Sequence, residues 1–470
     1  MSGSYGWAEI TRERKREIIQ AIESGEATRG PVHAELDLTD RCNVACYFCN
    51  QQDVRTKQQI PLARAVSLID ELVEGGLKSV RLSGGGDPLV HREMPQILDH
   101  LRGRGVVVDN LTTNGALLTP EIARRLVEGR CREVIFSLNA ADAADYARMM
   151  QVKPAIFDRV LENIRHLLAA RGGTPYPSVV AQFLLDRTNF TALPRMYELG
   201  RSLNVDRITV GIVLDIPMER IDPEILLHPS DAERLRPYLE EVLKRDKDAG
   251  LLQLEFPVPS WNVMVSEIRQ GIGSEARVLL PTAPSFAEKN GACFFGWYTA
   301  TVRGNGDLYP CCLLMTPDYT PLGNVEKKSF QEEWQGERFS RLRSEMRDVL
   351  LTEGRVLYRP EKFQVLRRQC VEPHLCWLKN VYFRGDEEFY RELSEALERA
   401  RAKDVRWTGD SESRARSAEV LKYRLYHGAR VRAHKLLAAL HTPLRHFEWR
   451  LRHWLDSLND SSSPFGRARP

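Results

Sequence analysis

Residues 36–50 read LDLTDRCNVACYFCN, and this stretch decides the fold. It begins as the end of an apolar run, HAELDL (33–38), and breaks into a loop carrying Cys42-x3-Cys46-x2-Cys49. A strand that delivers three thiols to its carboxyl end is one half of a strand–loop–helix unit. The other half follows at once, with Leu62, Val66, Ile69 and Val73 at helical spacing. Outward from there the same unit recurs. Strand patterns appear in KSVRLS (78–83), VVVDNLT (106–112), EVIFSLN (133–139), SVVAQFLL (178–185) and DRITVGIVL (206–214), with amphipathic stretches between them. Such alternation predicts a parallel sheet whose crossovers are helices. Parallel sheets of this kind gather their ligands in the loops after the strands. Alternation alone leaves an open sheet and a partial barrel equally available.

The chain has 470 residues, enough for two or three domains. Its net charge of +3 is small for that length and gives no reason to expect nucleic-acid binding. The first residues, MSGSYGWAEITRERKREIIQ, carry no apolar core of a signal peptide. No apolar run approaches the ~18–20 residues of a membrane span. A cytoplasmic, soluble protein is expected. Nine cysteines in a chain of this size do not make a disulfide scaffold. They cluster instead, and clustered thiols in a reducing compartment bind metal or do chemistry.

Three thiolates from one loop hold three irons of a cubane and leave the fourth without a protein ligand, where a cosubstrate can bind. A zinc knuckle with a distant fourth ligand is the other reading of that spacing. Beyond the spacing, CNVACYFC after the first strand resembles the signature of the radical S-adenosylmethionine superfamily. In that family, the amino and carboxylate groups of S-adenosylmethionine chelate the unique iron. The resemblance assigns Cys42, Cys46 and Cys49 to a [4Fe–4S] cluster and Phe48 to the neighbourhood of the adenine. After the second strand, Ser83-Gly84-Gly85-Gly86-Asp87-Pro88 resembles the family's GGE motif, with Asp87 where Glu is commoner. Its glycines suit close backbone approach to the methionine amino group. Thr112-Thr113-Asn114-Gly115 ends the third strand, and Phe136-Ser137-Leu138-Asn139 the fourth. The resemblance makes Asn114, Ser137 and Asn139 cofactor contacts; taken singly, each also reads as a cap or turn former. It implies a partial (β/α)6 barrel and reductive cleavage of S-adenosylmethionine to a 5′-deoxyadenosyl radical.

A second cysteine group follows. Cys293-x12-Gly306-x4-Cys311, with a GNGD hairpin turn, LGNV (322–325) and a Phe330–Trp334 helix, resembles the opening of a SPASM or twitch auxiliary-cluster domain. Cys370-x5-Cys376 supplies two more thiols, while Arg367 and Asn380 stand where a full SPASM domain has further cysteines. The sum, Cys293, Cys311, Cys370 and Cys376, is one auxiliary [4Fe–4S] cluster with full protein ligation. Structural zinc is the competing reading for four such thiols. Cys312 is an alternative ligand, an inert thiol, or a hydrogen donor to a substrate radical; Cys131 reads as core packing.

The expected organisation is a helical extension (1–32), a radical core (33–215) and a connector able to cap substrate (216–290). A small α+β auxiliary-cluster domain (291–385) and a helical basic extension (386–470) complete it. Residues 411–470 hold 12 Lys/Arg against 5 Asp/Glu, a basic amphipathic pattern that suits packing or docking. About 32 residues precede the first strand, which is short for a leader-binding domain. The expected substrate is therefore a small molecule, carbohydrate-like, in natural-product or antibiotic biosynthesis, undergoing dehydrogenation, epimerisation or dehydration. Peptide or protein maturation is the alternative, and a non-catalytic Fe–S or zinc protein the remote one. The electron would come from a flavodoxin- or ferredoxin-type reductant.

Overall fold

In a computed structural model, β1 (His33–Leu36) is paired in parallel along both edges, a position that fixes everything around it. The structure describes residues 10–52, 55–213, 221–256, 259–274, 277–278, 293–316, 319–351 and 386–403. On one side of β1 the parallel ladder runs through β2 (Ser79–Leu82), β3 (Val107–Thr113), β4 (Glu133–Ser137), β5 (Ser178–Leu185) and β6 (Arg207–Ile212). These are the six strands the alternation predicts, within one or two residues at most ends. Between them run α2 (Leu62–Glu74), α3 (Met94–Gly103), α4 (Pro120–Glu128), α5 (Ala143–Met150), α6 (Ala155–Arg171) and α7 (Leu193–Ser202), preceded by α1 (Arg12–Ser24). Each helix buries one apolar stripe, as Ala65, Leu68, Ile69 and Leu72 do in α2.

The ladder then goes further than expected. The stretch read as a connector holds the predicted long helix, α8 (Ala232–Asp246), but also β7 (Leu252–Glu255), α9 (Pro259–Ile272) and β8 (Arg277–Val278). Both strands join in parallel beyond β6. LQLE is too short and too mixed to stand out as a strand in the sequence; its pairing with β6 creates it.

On the other edge of β1 lies the cysteine-rich second unit. After α10 (Phe295–Tyr298), β9 (Thr299–Val302) pairs in parallel with β1, and β10 (Asp307–Tyr309) turns back antiparallel on β9. Gly306, at φ +80°, closes the GNGD turn in a conformation that glycine adopts freely. β11 (Gly323–Asn324) ends the sheet. The auxiliary hairpin is therefore continuous with the core sheet. α11 (Phe330–Trp334) starts in a capping box made by Ser329 and Glu332, and α12 (Glu337–Leu351) follows. α13 (Glu387–Lys403) returns to α1 through the pairs Arg12–Glu388 (3.0 Å) and Arg399–Glu23 (3.0 Å).

Strand alternation sends Ala34, Leu36, Val80 and Leu82 to one side and His33, Glu35, Ser79 and Arg81 to the other. That second face is polar yet buried. His33 Nδ1 meets Ser79 Oγ at 3.0 Å, Asn110 donates to Glu133 at 3.2 Å, and Arg207 pairs with Glu133. The charge of Arg81 on β2 acts on Glu255 at the end of β7. In a flat sheet these strands would lie five spacings apart, about 24 Å. The sheet is curled around this face, with β8 and β11 as its unjoined edges among the described residues. No helix among the described residues is long and apolar enough to cross a membrane.

Candidate active site

The carboxyl ends of β1 to β6 converge on a cavity of about 260 Å³. Cys42, Cys46 and Cys49 line it together with Phe48, Ser83, Gly84, Gly86, Asp87, Asn114, Ser137 and Asn139. Of the residues expected to bind the first cluster and its cosubstrate, only Gly85 is missing from this wall. Its place is behind the wall, where an added Cβ would stand 2.3 Å from Asp40 Oδ1.

The cysteine loop is seated by backbone. Asp87 N donates to Arg41 O at 3.0 Å, and a Cβ on Gly86 would fall 1.9 Å from that same oxygen. A Cβ on Gly84, whose φ is +121°, would lie 1.6 Å from Asp37 Cγ. Both glycines are thus demanded by close approach. Asp37 is 1% exposed, and neither of its carboxyl oxygens has a hydrogen-bond partner among the described residues. Burial, reinforced by Glu35, pushes its pKa well above the usual carboxylate range, against the pull of Arg303 and Arg81.

Asp87, which lines the cavity, also holds the surrounding loops together. Its carboxylate accepts from Thr113 Oγ1 (2.8 Å), Asn114 N (2.7 Å), Asn114 Nδ2 (2.6 Å) and Leu89 N (2.9 Å). Burial raises its pKa and these four donors oppose the rise. The acid ties the third strand's TNG turn to the glycine loop. Asn114 also donates to Asn43 Oδ1 at 2.8 Å, which binds the cysteine loop into the same cluster. Asn139, at φ +58°, accepts from Leu184 N at 2.9 Å and so holds its own turn. Ser137 lines the cavity at the end of β4.

The thiols sit in apolar company. Cys46 Sγ lies 3.5 Å from Met150 Sδ, and burial pushes both Cys42 and Cys46 up from the ordinary thiol value. Arg55 donates to Cys49 Sγ at 3.3 Å. Arg55 and Met150 carry no motif, and Asn43, though inside the cysteine motif, shows its bond to Asn114 only once the loops are folded together. Three thiols on one wall, beside a glycine cradle that side chains would fill, fit a cluster with one open iron and a cosubstrate.

In the second unit Cys293 and Cys311 are both buried. Cys370 and Cys376 lie outside the described residues. β10 ends at Tyr309 and a single 3₁₀ turn starts at Cys312, so Cys311 and Cys312 do not alternate along a strand. Burial and the Glu35 carboxylate, to which the thiol donates, push Cys312 well above the usual thiol value. It does not line the cavity above. Cys131 is 1% exposed and its thiol donates to Glu133 O, as core packing implies.

Comparison with known proteins bears on the same residues. Residues 36–185 match the model of the radical SAM superfamily, and residues 293–354 match the SPASM iron–sulfur cluster-binding domain. AdoMet-dependent heme synthase of Methanosarcina barkeri is 25% identical over 321 residues, 67% of this chain and 86% of that protein. PqqA peptide cyclase of Streptomyces rochei is 24% identical over 316 residues, 66% of this chain and 78% of that one. The crystal structure of Streptococcus suis SuiB bound to precursor peptide SuiA superposes with a TM-score of 0.53 at 15% identity, covering 70% of each chain. The fold is shared with SuiB. A [4Fe–4S] cluster that binds S-adenosylmethionine and an auxiliary [4Fe–4S] cluster are the cofactors of this architecture. A radical SAM domain followed by a SPASM domain makes this chain an enzyme of the radical SAM superfamily.

Proposed function

We propose that this enzyme is a maturase that modifies a peptide or protein by radical chemistry. The observation that carries the reading is the likeness to PqqA peptide cyclase, which extends over 316 residues, 66% of this chain. The carbohydrate-like substrate expected from the sequence draws no support from the relatives described above. A second reading, a diffusible small molecule, rests on the likeness of similar extent to AdoMet-dependent heme synthase.

Cys42, Cys46 and Cys49 hold the first cluster, and Cys293 and Cys311 contribute to the second. When bound, the first cluster supplies an electron that cleaves S-adenosylmethionine to methionine and a 5′-deoxyadenosyl radical, which takes a hydrogen atom from substrate. This chain's residues bind, orient and shield. The backbone of Gly84 and Gly86 receives the methionine end, Phe48 packs near the adenine, and Ser137 reaches the ribose. Asp87, Asn114 and Asn139 keep those loops in register through the hydrogen bonds described above. Leu184, Ile212 and Val213 make the far wall apolar, which excludes water from a reactive radical.

The test uses extract from cells grown on deuterated amino acids, fractionated by size and supplied to the reconstituted, dithionite-reduced enzyme. Deuterium should appear in 5′-deoxyadenosine with the peptide fraction and vanish after protease treatment of that fraction. Transfer that survives the protease would reject a peptide substrate in favour of a small molecule.

A further inference from the structure

Arg55 stands six residues beyond Cys49, in a part of the loop that no motif marks. Its half-buried side chain makes two bonds in different directions. Nη2 donates to Cys49 Sγ at 3.3 Å, and Nε donates to the carbonyl oxygen of Gly85 at 2.5 Å. Gly85 lies between Gly84 and Gly86, both of which line the cavity. One rigid guanidinium plane therefore spans from a cysteine sulfur to the glycine loop.

We propose that Arg55 is a positioning residue that raises the reduction potential of the cluster held by Cys42, Cys46 and Cys49 and fixes the glycine loop against it. This rests on the assignment of those three cysteines to the cluster. A reduced cluster carries one more negative charge than an oxidised one. A fixed cation and an N–H···S bond to a ligating sulfur stabilise that extra charge, which moves the potential upward. The bond to Gly85 does a second job. It holds the peptide that flanks the cosubstrate's methionine site, so its loss weakens S-adenosylmethionine binding as well. A lysine at 55 keeps the charge but lacks the fork; a glutamine keeps polarity but lacks the charge.

The experiment is a redox titration of the anaerobically reconstituted full chain. It follows the reduced-cluster paramagnetic signal that changes shape on adding S-adenosylmethionine, beside iron content and equilibrium binding of S-adenosylmethionine. R55Q, with full iron, should titrate at a lower potential than the wild type and bind S-adenosylmethionine about tenfold more weakly, the loss of one charge-assisted bond. R55K should recover part of the potential but little of the affinity. R55Q titrating at the wild-type midpoint with wild-type affinity overturns the proposal. Should R55Q fail to retain iron, R55K decides: lowered affinity supports the proposal, and wild-type values of both quantities overturn it. A responsive signal that persists in the C42A/C46A/C49A variant would instead remove the cluster assignment on which the proposal stands, whatever Arg55 does.

Discussion

A carboxylate with four donors around it is a structural knot, and Asp87 is the one on which the site hangs. Thr113 at the end of β3, Asn114 just beyond it, Leu89 after the glycine loop and, through Asn114, Asn43 beside Cys42 all meet there. Asp87→Ala leaves these donors buried and unpaired, at a cost of about 3 kcal/mol in stability. It should also weaken S-adenosylmethionine binding by at least about tenfold, since the loops it joins line the cavity. Unchanged affinity by equilibrium dialysis would refute this role. Asp37 is the opposite case, a carboxyl with no hydrogen-bond partner among the described residues, within reach of the charges of Glu35, Asp40, Arg81 and Arg303. Its native pKa lies above the unfolded value, so the folded state holds a proton that the unfolded state releases. That favours folding at low pH and is progressively lost as pH rises from the ordinary carboxylate range towards the native pKa. Asp37→Asn keeps the shape without ionising. Its stability gain over the wild type should therefore grow between pH 5 and pH 8; a gain independent of pH in urea titrations would show that Asp37 ionises normally.

Among the elements, the strands were legible and their partners were not. SVVAQFLL is read correctly as β5 because a strand buried on both faces is a continuous apolar run. The four loop motifs were legible for a similar reason, since each lies at a strand's carboxyl end with little intervening sequence. LQLE becomes β7 only through pairing with β6, and TATV becomes a neighbour of β1 across the whole core; neither fact is local. The same holds for the buried pair Arg303–Asp40 (3.0 Å), which pins the β9–β10 turn to the loop entering the cysteine motif. Asp40 also accepts from Thr56 on the far limb of that loop. Arg303→Met should cost about 3–5 kcal/mol, because it strands a buried charge. The double variant Arg303→Met/Asp40→Asn should recover part of this. A double-mutant cycle with no coupling would show that the pair contributes nothing to docking of the two units.

At the scale of the whole molecule, one sheet carries both cluster-binding units, with α1 and α13 clasped on its outside by Arg12–Glu388 and Arg399–Glu23. The two sets of cysteines are nevertheless separable by ligand count. The reconstituted chain should hold about eight irons, and C42A/C46A/C49A about four, with cleavage of S-adenosylmethionine abolished. Two zinc ions and no iron in protein purified anaerobically would refute the assignment. A shared sheet also imposes an order on biosynthesis. Arg303 and Asp40 are 263 residues apart, so the partner that covers the second edge of β1 leaves the ribosome long after β1 itself. At ordinary elongation rates that interval is roughly 15–50 s, during which the nascent chain presents an unpaired edge next to three free thiols. Translation that stops before residue 299 yields a chain whose eight parallel strands β1–β8 are complete yet permanently open on that side, a species for chaperones and proteases to clear.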